Sequence, residues 1–225
     1  MNNFLKLKNI SKSFITETEI KVLKKISYTF KKGKVYSLMG PSGIGKSTLL
    51  NLISLIDRPS SGVIKFNNKI IDFNKSNKND LFRAKNIGII YQQNNLLPDF
   101  TALENVYLAS LSNGVNKDLA KEKAKSLLKK IGLSNRLEHF PSQLSGGECQ
   151  RVAIVRAIIN DPSIILADEP TGSLDMNTAK NVFELLINQK SSNRLIIFAT
   201  HNRFFANKAD CLLEMTDGSI KSTNV

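Results

Sequence analysis

Three short segments of this chain place residue types at spacings that do chemistry. Gly40, Pro41, Ser42, Gly43, Ile44, Gly45, Lys46 and Ser47 fit the phosphate-binding pattern G-x-x-x-x-G-K-[ST] at every fixed position, and Thr48, the next residue, joins them as a candidate phosphate contact. Glycines let the backbone curl so that successive N–H groups and a helix N-terminus face an anion. Lys46 adds a point charge, and the Ser47 hydroxyl can reach a magnesium ion. In the second segment, the apolar run Ile164-Ile165-Leu166-Ala167 delivers Asp168 and Glu169 to its end. Asp168 is expected to hold magnesium through water, and Glu169 to orient or deprotonate the water that attacks a γ-phosphate, because phosphoryl transfer needs mainly positioning and charge neutralisation. An ordinary strand can also end in Asp-Glu, and it is the phosphate loop in the same chain that gives this pair its meaning. In the third, Leu144-Ser145-Gly146-Gly147-Glu148, Ser145 and Glu148 have the S-x-x-E spacing of a capping box that starts a helix. A capped helix start with side chains missing at Gly146 and Gly147 is also an anion site that a second nucleotide's phosphate could approach closely.

These segments need strands and helices to carry them, and the pattern of apolar residues supplies candidates. Phe4–Ile10 alternates like a half-buried strand, Val35–Met39 reads as a short strand ending at the glycine loop, and a helix is expected from about Lys46 to Ile56. Asn74–Asp80 reads as a polar loop rich in Lys and Asn, Ile87–Tyr91 as a strand, and Gln92–Pro98 has no clear period. From Thr101 to about Ile159 the chain reads as mostly helical, with Leu119, Ala120, Ala124, Leu127, Leu128 and Ile131 at helical spacing on a lysine-rich background. Ile164–Ala167 and Leu195–Ala199 are continuous apolar runs of the kind a strand buried on both faces needs. Strands alternating with helices predict a largely parallel, covered sheet.

The chain has 225 residues, 41% hydrophobic and 23% charged, enough for one sizeable core. No run approaches the length needed to span a bilayer, and the opening Met-Asn-Asn-Phe-Leu-Lys-Leu-Lys does not build a signal-peptide core, so a cytosolic chain is expected. Cys149 and Cys211, the two cysteines, have no metal-ligand spacing, so neither disulfide nor zinc is implied. The net charge is +13, but only seven of the 32 basic residues are arginine. With Asn and Ile also plentiful, that mixture suits lysine-rich drift and a nearby anionic membrane better than arginine readout of a nucleic-acid groove.

The Leu144–Glu148 segment, taken with the phosphate loop and the Asp168-Glu169 pair, resembles the ABC ATPase family, and the resemblance covers essentially the whole chain. It implies an α/β P-loop NTPase: a nucleotide-binding core with a mostly parallel sheet and an antiparallel β subdomain over 1–92 and 161–225, and a helical subdomain over 93–160. It also implies ATP and Mg2+ as cofactors, with Phe14 stacking on adenine, Gln92 reaching magnesium and water, Ser173-Leu174-Asp175 contacting another subunit, and His201 holding the γ-phosphate. His139 matches nothing and is read as structural. Cys149 departs from the family, which usually has a larger polar residue there, and raises the expectation of thiol sensitivity.

One phosphate loop and one Leu-Ser-Gly-Gly-Glu per chain imply, by the same resemblance, a head-to-tail homodimer with two composite ATP sites. The membrane spans then belong to permease partners. DNA-repair and chromosome ATPases share the motifs but insert coiled coils or zinc elements, and translation-type relatives carry two cassettes, so no nucleic acid is expected. Gln92–Val106, Leu166–Asp175 and Leu213–Gly218 are similar to the subgroup working with mechanotransmitting permeases, most of all its lipoprotein-releasing (Lol) branch with LolC- and LolE-like partners. That branch places the chain peripherally on the cytoplasmic face of a bacterial inner membrane. Macrolide and peptide exporters and a cell-division ATPase are the related alternatives.

Overall fold

The computed structural model describes residues 3–15 and 17–223; Met1 and Val225, the outer limits of the expected core, lie outside them. In chain order the elements are β1 (Asn3–Ile15), β2 (Glu19–Lys31), β3 (Val35–Met39), α1 (Lys46–Ile53), β4 (Ser61–Phe66), β5 (Lys69–Ile70), α2 (Ser76–Asn86) and β6 (Ile87–Ile90). There follow α3 (Ala102–Leu111), α4 (Lys117–Lys130), α5 (Gly146–Ile158), β7 (Ile164–Asp168), α6 (Met176–Ile187), β8 (Leu195–Ala199), α7 (Arg203–Ala206), β9 (Cys211–Thr216) and β10 (Ser219–Thr223). Short 3-10 turns at Ser134–Arg136 and Pro141–Gln143 lead into α5. Among the described residues no helix is long and apolar enough to cross a membrane.

The residues fall into two compact units, one up to Asp80 and again from Lys190 onward, the other from Leu81 to Gln189. In the first, the alternation of β1 buries Leu5 and Leu7 while Lys6 and Lys8 face water, and an irregularity at Asn9, with φ 51, is followed by buried Ile10. An antiparallel sheet follows in the order β2-β1-β4-β5. The same unit pairs β3 in parallel with β8 on one side and with β9 on the other, and β10 closes antiparallel on β9. β3, with Ser37 among apolar residues, and the uninterrupted apolar run of β8 are buried throughout apart from the end of β3, as strands covered on both faces must be.

The second unit pairs β6 and β7 in parallel, with Ile164 to Ala167 wholly buried. Its helical part has a core of its own, built from Leu103, Val106, Leu128, Val152, Val155 and Ile159 among others. Here α4 buries Ala120, Ala124 and Leu128, one residue per turn, whereas Leu119 is 68% exposed because it sits about 100° off that stripe.

Two segments differ from the sequence expectation. Residues 76–80, read as loop, begin α2; that helix buries no residue, so it has no apolar stripe to betray it, and Arg83 and Lys85 in its last turn complement the helix dipole. The α1 helix stops at Ile53, three residues early, where Leu55 turns left-handed at φ 62. Because Leu128 is fully buried in the helical core, Leu128→Ala should cost about 2–5 kcal/mol there. Native-state hydrogen exchange should show the loss at amides of α3 to α5; unchanged protection would mean that this core does not hold those helices.

Candidate active site

In the first unit the phosphate loop leaves the end of β3 and the His201 segment leaves the end of β8. The two ends are adjacent because Leu38 pairs with Ala199 and the Thr200 N–H donates to the Leu38 carbonyl at 3.1 Å. Loops emerging together from the C-terminal ends of parallel strands form the ligand-binding edge of such sheets. Gly45, the residue before α1, has φ 105, and a Cβ there would come within 2.8 Å of Leu23 and 2.9 Å of Val22. Glycine is thus required twice over, by conformation and by space. No side chain caps α1 among the described residues, so its first N–H groups remain available to an anion.

Lys46 is buried, and its ammonium donates to the carbonyls of Gly40 at 2.7 Å and Pro41 at 3.1 Å. Turned inward this way, those carbonyls do not repel a bound phosphate, and the charge stays inside the loop. Pro41, Ser42, Gly43 and Ser47 are exposed, while Ile44 and Thr48 are half-buried. His201 is exposed just after β8, with the following Asn202 capping α7 through the Phe204 N–H at 2.9 Å. Phe14, near the end of β1, keeps 42% of its surface exposed.

In the second unit Ile90 pairs with Ala167, so Tyr91-Gln92 and Asp168-Glu169 leave neighbouring strand ends. Asp168 Oδ1 is buried and has no hydrogen-bond partner among the described residues. A buried carboxylate oxygen left without a donor suits a cation better than an apolar setting. Glu169 takes φ 45, a left-handed backbone uncommon outside glycine, Asn and Asp, which turns its side chain sharply away from the strand direction. Its carbonyl accepts from the Gly172 N–H at 3.0 Å. Gln92 lies beside the same turn, its Nε2 3.2 Å from where a Cβ on Gly172 would sit.

The third segment folds as its spacing dictates. Ser145 accepts from the Glu148 N–H at 3.2 Å, and the Glu148 carboxylate accepts from the Ser145 N–H at 2.8 Å and from Arg136 at 3.0 Å. The Ser145 N–H first, and Arg136 next, hold Glu148 down at about 2. The two glycines differ. Gly146 is exposed, and a Cβ there would touch only Leu174 at 3.6 Å, whereas Gly147 is buried with the Thr178 methyl occupying the place of a Cβ. Gly147 is therefore needed by the packing of α5 on α6 as well as by any approaching phosphate. Ser173 is exposed, and Asp175 caps α6 through the N–H groups of Asn177 and Thr178.

Cys149 corrects an expectation. Its thiol is buried, bonds the Pro141 carbonyl at 3.5 Å, and is pushed above its ordinary pKa by burial and then by Glu148. A neutral, covered thiol is a poor nucleophile, so thiol sensitivity does not follow from this position.

Three further residues hold the site, none of them anticipated from sequence. Gln150 donates to the Tyr91 carbonyl at 3.1 Å, and Arg156 donates to the carbonyls of Asn94 at 2.6 Å and Asn95 at 2.7 Å. Buried Asn105 bonds the Leu97 N–H and the carbonyls of Leu97 and Phe100. Together they fix the aperiodic segment after Gln92. The signal available in sequence was strongest at Arg156, a charge set among the apolar residues Val152–Val155 and Ala157–Ile158.

A family model described as ABC transporter matches residues 23–172. The lipoprotein-releasing system ATP-binding protein LolD of Rickettsia bellii is 44% identical to this chain, covering 97% of it and 98% of its own length. The LolD protein of Cytophaga hutchinsonii is 42% identical, covering 98% of this chain and all of its own. Among solved structures, the dimeric bacterial ABC transporter cassette MJ0796 superposes with a TM-score of 0.90 at 36% identity, covering 98% of each chain. A post-hydrolysis dimer of the same cassette, bound to ADP and Pi, superposes with a TM-score of 0.89 at 35% identity and the same coverage.

The capping box makes a pH prediction. A carboxylate with a depressed folded pKa stabilises the fold above its unfolded value and loses that contribution as pH falls through the folded one. For Glu148 the window runs from the ordinary 4.5 down to about 2. Unfolding followed at stepwise lower pH should show this loss in the wild-type chain and a flatter acid limb in Glu148→Gln. Identical acid limbs would remove the carboxylate from the helix start.

Proposed function

Because the chain belongs to the ABC transporter family, we propose that it is the ATP-hydrolysing subunit of a lipoprotein-releasing system, working as a homodimer on permease partners of the LolC and LolE type. The observation that carries this reading is the identity to LolD proteins of two distantly named bacteria, 44% and 42%, over nearly the whole of every chain compared. The fold expected from the sequence, a cassette of parallel and antiparallel sheets with a helical part, is the one it shares with the MJ0796 cassette. The absence of a membrane-spanning helix among the described residues fits a peripheral place on the cytoplasmic face of an inner membrane, beside partners that do span it. The division into a core over 1–92 and 161–225 and a helical subdomain over 93–160 remains part of the proposal.

In this mechanism the N–H groups of Gly43 to Thr48 and the Lys46 ammonium bind the β- and γ-phosphates, and Phe14 stacks on the adenine. Ser47, Gln92 and Asp168 would hold magnesium, which supplies charge neutralisation at the phosphate oxygens; the donor-less Oδ1 of Asp168 is the feature that fits it. Among the described residues no three His, Cys, Asp or Glu cluster as a metal site, so nucleotide and water oxygens must complete the shell. Glu169 accepts a proton from the attacking water as its oxygen bonds the γ-phosphorus and the bond to the β,γ-bridging oxygen breaks. His201 donates to the γ-phosphate, and the Ser145–Gly147 helix start of the second subunit faces it, so that ATP joins the two halves. Loss of the γ-phosphate removes that joint, and the difference in dimer affinity between ATP and ADP is what a permease can use.

Two experiments test the proposal. Glu169→Gln keeps size and hydrogen bonding but removes the base, so hydrolysis should fall by on the order of 100-fold while ATP still closes the dimer. With Mg-ATP the variant should elute at about twice the 25.0 kDa chain mass. A monomeric variant that hydrolyses at the normal rate would mean that another carboxylate acts. For the biological role, depletion of the gene should leave outer-membrane lipoproteins in the inner membrane. Normal sorting alongside loss of drug or peptide export would instead favour the related exporters.

A further inference from the structure

The ring assigned to adenine stands near the end of β1 with 42% of its surface exposed. What lies against it is a charge. Lys12 is two residues earlier on β1 and so on the same face, and its ammonium is 4.9 Å from the centroid of the Phe14 ring. A cation at that distance over an aromatic face is attracted by the ring quadrupole. The ammonium is not a loose surface charge. Only 11% of the Lys12 side chain is exposed, and its Nζ donates to Asp57 Oδ1 at 2.7 Å and to the Arg58 carbonyl at 3.0 Å.

Backbone geometry supports the same arrangement from both sides. The pairing of β1 with β2 shifts register immediately before and immediately after Lys12, each time with the extra residue on β2, so β1 keeps its two-residue period from Lys12 to Phe14. Asp57 is tied to the phosphate-loop helix, since the N–H groups of Ile56 and Asp57 both donate to the Asn51 carbonyl in the last turn of α1, at 3.1 and 3.2 Å. A continuous series of contacts thus runs from the helix that starts at Lys46, through Asp57 and Lys12, to the Phe14 ring.

We propose that Lys12 and Asp57 are a positioning pair for nucleotide binding: they hold the Phe14 ring at a fixed place relative to the phosphate loop and so set the purine subsite. The inference rests on the reading of Phe14 as the adenine-stacking residue and adds a pair to it that the hydrolysis mechanism does not use. Lys12 occupies one face of the ring, so the purine takes the other. Because the cation draws π density toward itself, it also makes the free face a better partner for an electron-rich base.

Titration calorimetry on the full chain, with ATP and with inorganic tripolyphosphate as ligands, separates this role from a structural one. Lys12→Met should weaken ATP binding about fivefold, the scale of one cation–π contact at a half-exposed ring, and leave tripolyphosphate affinity unchanged. Lys12→Arg should restore ATP affinity, and Lys12→Met should add nothing in a Phe14→Ala background. Equal weakening of both ligands, or losses that multiply in the double variant, would overturn the proposal, since either would mean that Lys12 acts through the fold and not through the ring. If Phe14→Ala itself leaves ATP binding intact, the adenine assignment falls; if Phe14→Ala weakens ATP and Lys12→Met does not, the positioning pair alone falls.

Discussion

A strand covered on both faces has no free side chain along its length, so chemistry on such a sheet is confined to the places where strands stop. β3, β7 and β8 are of this kind: Val35 to Leu38, Ile164 to Ala167 and Leu195 to Ala199 are buried without a break. Several of the residues given a chemical role beside the phosphates are accordingly found just past a strand end, and Asp168 is the last residue of β7. Gly40 follows β3 and His201 follows β8, while Gln92 follows β6 and Glu169 follows β7. Parallel pairing then supplies neighbours for these residues, because strands that run the same way deliver their C-terminal ends to one edge. Leu38 opposite Ala199 and Ile90 opposite Ala167 are the two pairings that do so.

The same constraint governs what could be read from sequence. Runs that must be buried on both faces are visible as unbroken apolar stretches, and the limits of β8 and all but the last residue of β7 fall where those runs end. The capping box at Ser145 and Glu148 was equally legible, since it depends on two residues three apart and on nothing distant. What was not legible depends on contacts far along the chain. The α2 helix buries nothing and so carries no periodic mark. Cys149 reads as a departure from the family that raises thiol sensitivity until burial by the helix packing is known, and the clamps made by Gln150 and Arg156 reach back about 60 residues to carbonyls in a segment without period.

Glycine shows the limit most plainly, because one residue type answers three physical demands here. Gly45 is fixed by backbone conformation together with the side chains of Leu23 and Val22, and a sequence pattern finds it because the loop's spacing is local. At Gly146 a Cβ would meet only Leu174, at an ordinary contact distance of 3.6 Å, so packing does not demand glycine there, and the proposed approach of a nucleotide is what gives its missing side chain a purpose. Gly147 is adjacent in sequence but is closed off by Thr178. Pattern matching treats the last two as equal. A Cβ placed on the structure separates them, assigning Gly147 to packing and leaving Gly146 as the open approach.

The α5 helix brings these strands of argument together. Its first turn is the capped, glycine-bearing start that the mechanism sets against a second subunit's nucleotide, and Glu148 is anchored there by Ser145 and Arg136. One turn on, Gln150 holds the Tyr91 carbonyl beside Gln92, and near the far end Arg156 holds Asn94 and Asn95. A helix hydrogen-bonded from end to end moves as a single piece, so its start and the backbone after Gln92 share one rigid support. That support is costly to break: Arg156 is half-buried, desolvation lowers its pKa, and without its two carbonyls the guanidinium would lose the acceptors that offset that desolvation. Stability and site geometry are therefore set by the same few contacts, and a substitution at Arg156 should be felt in both.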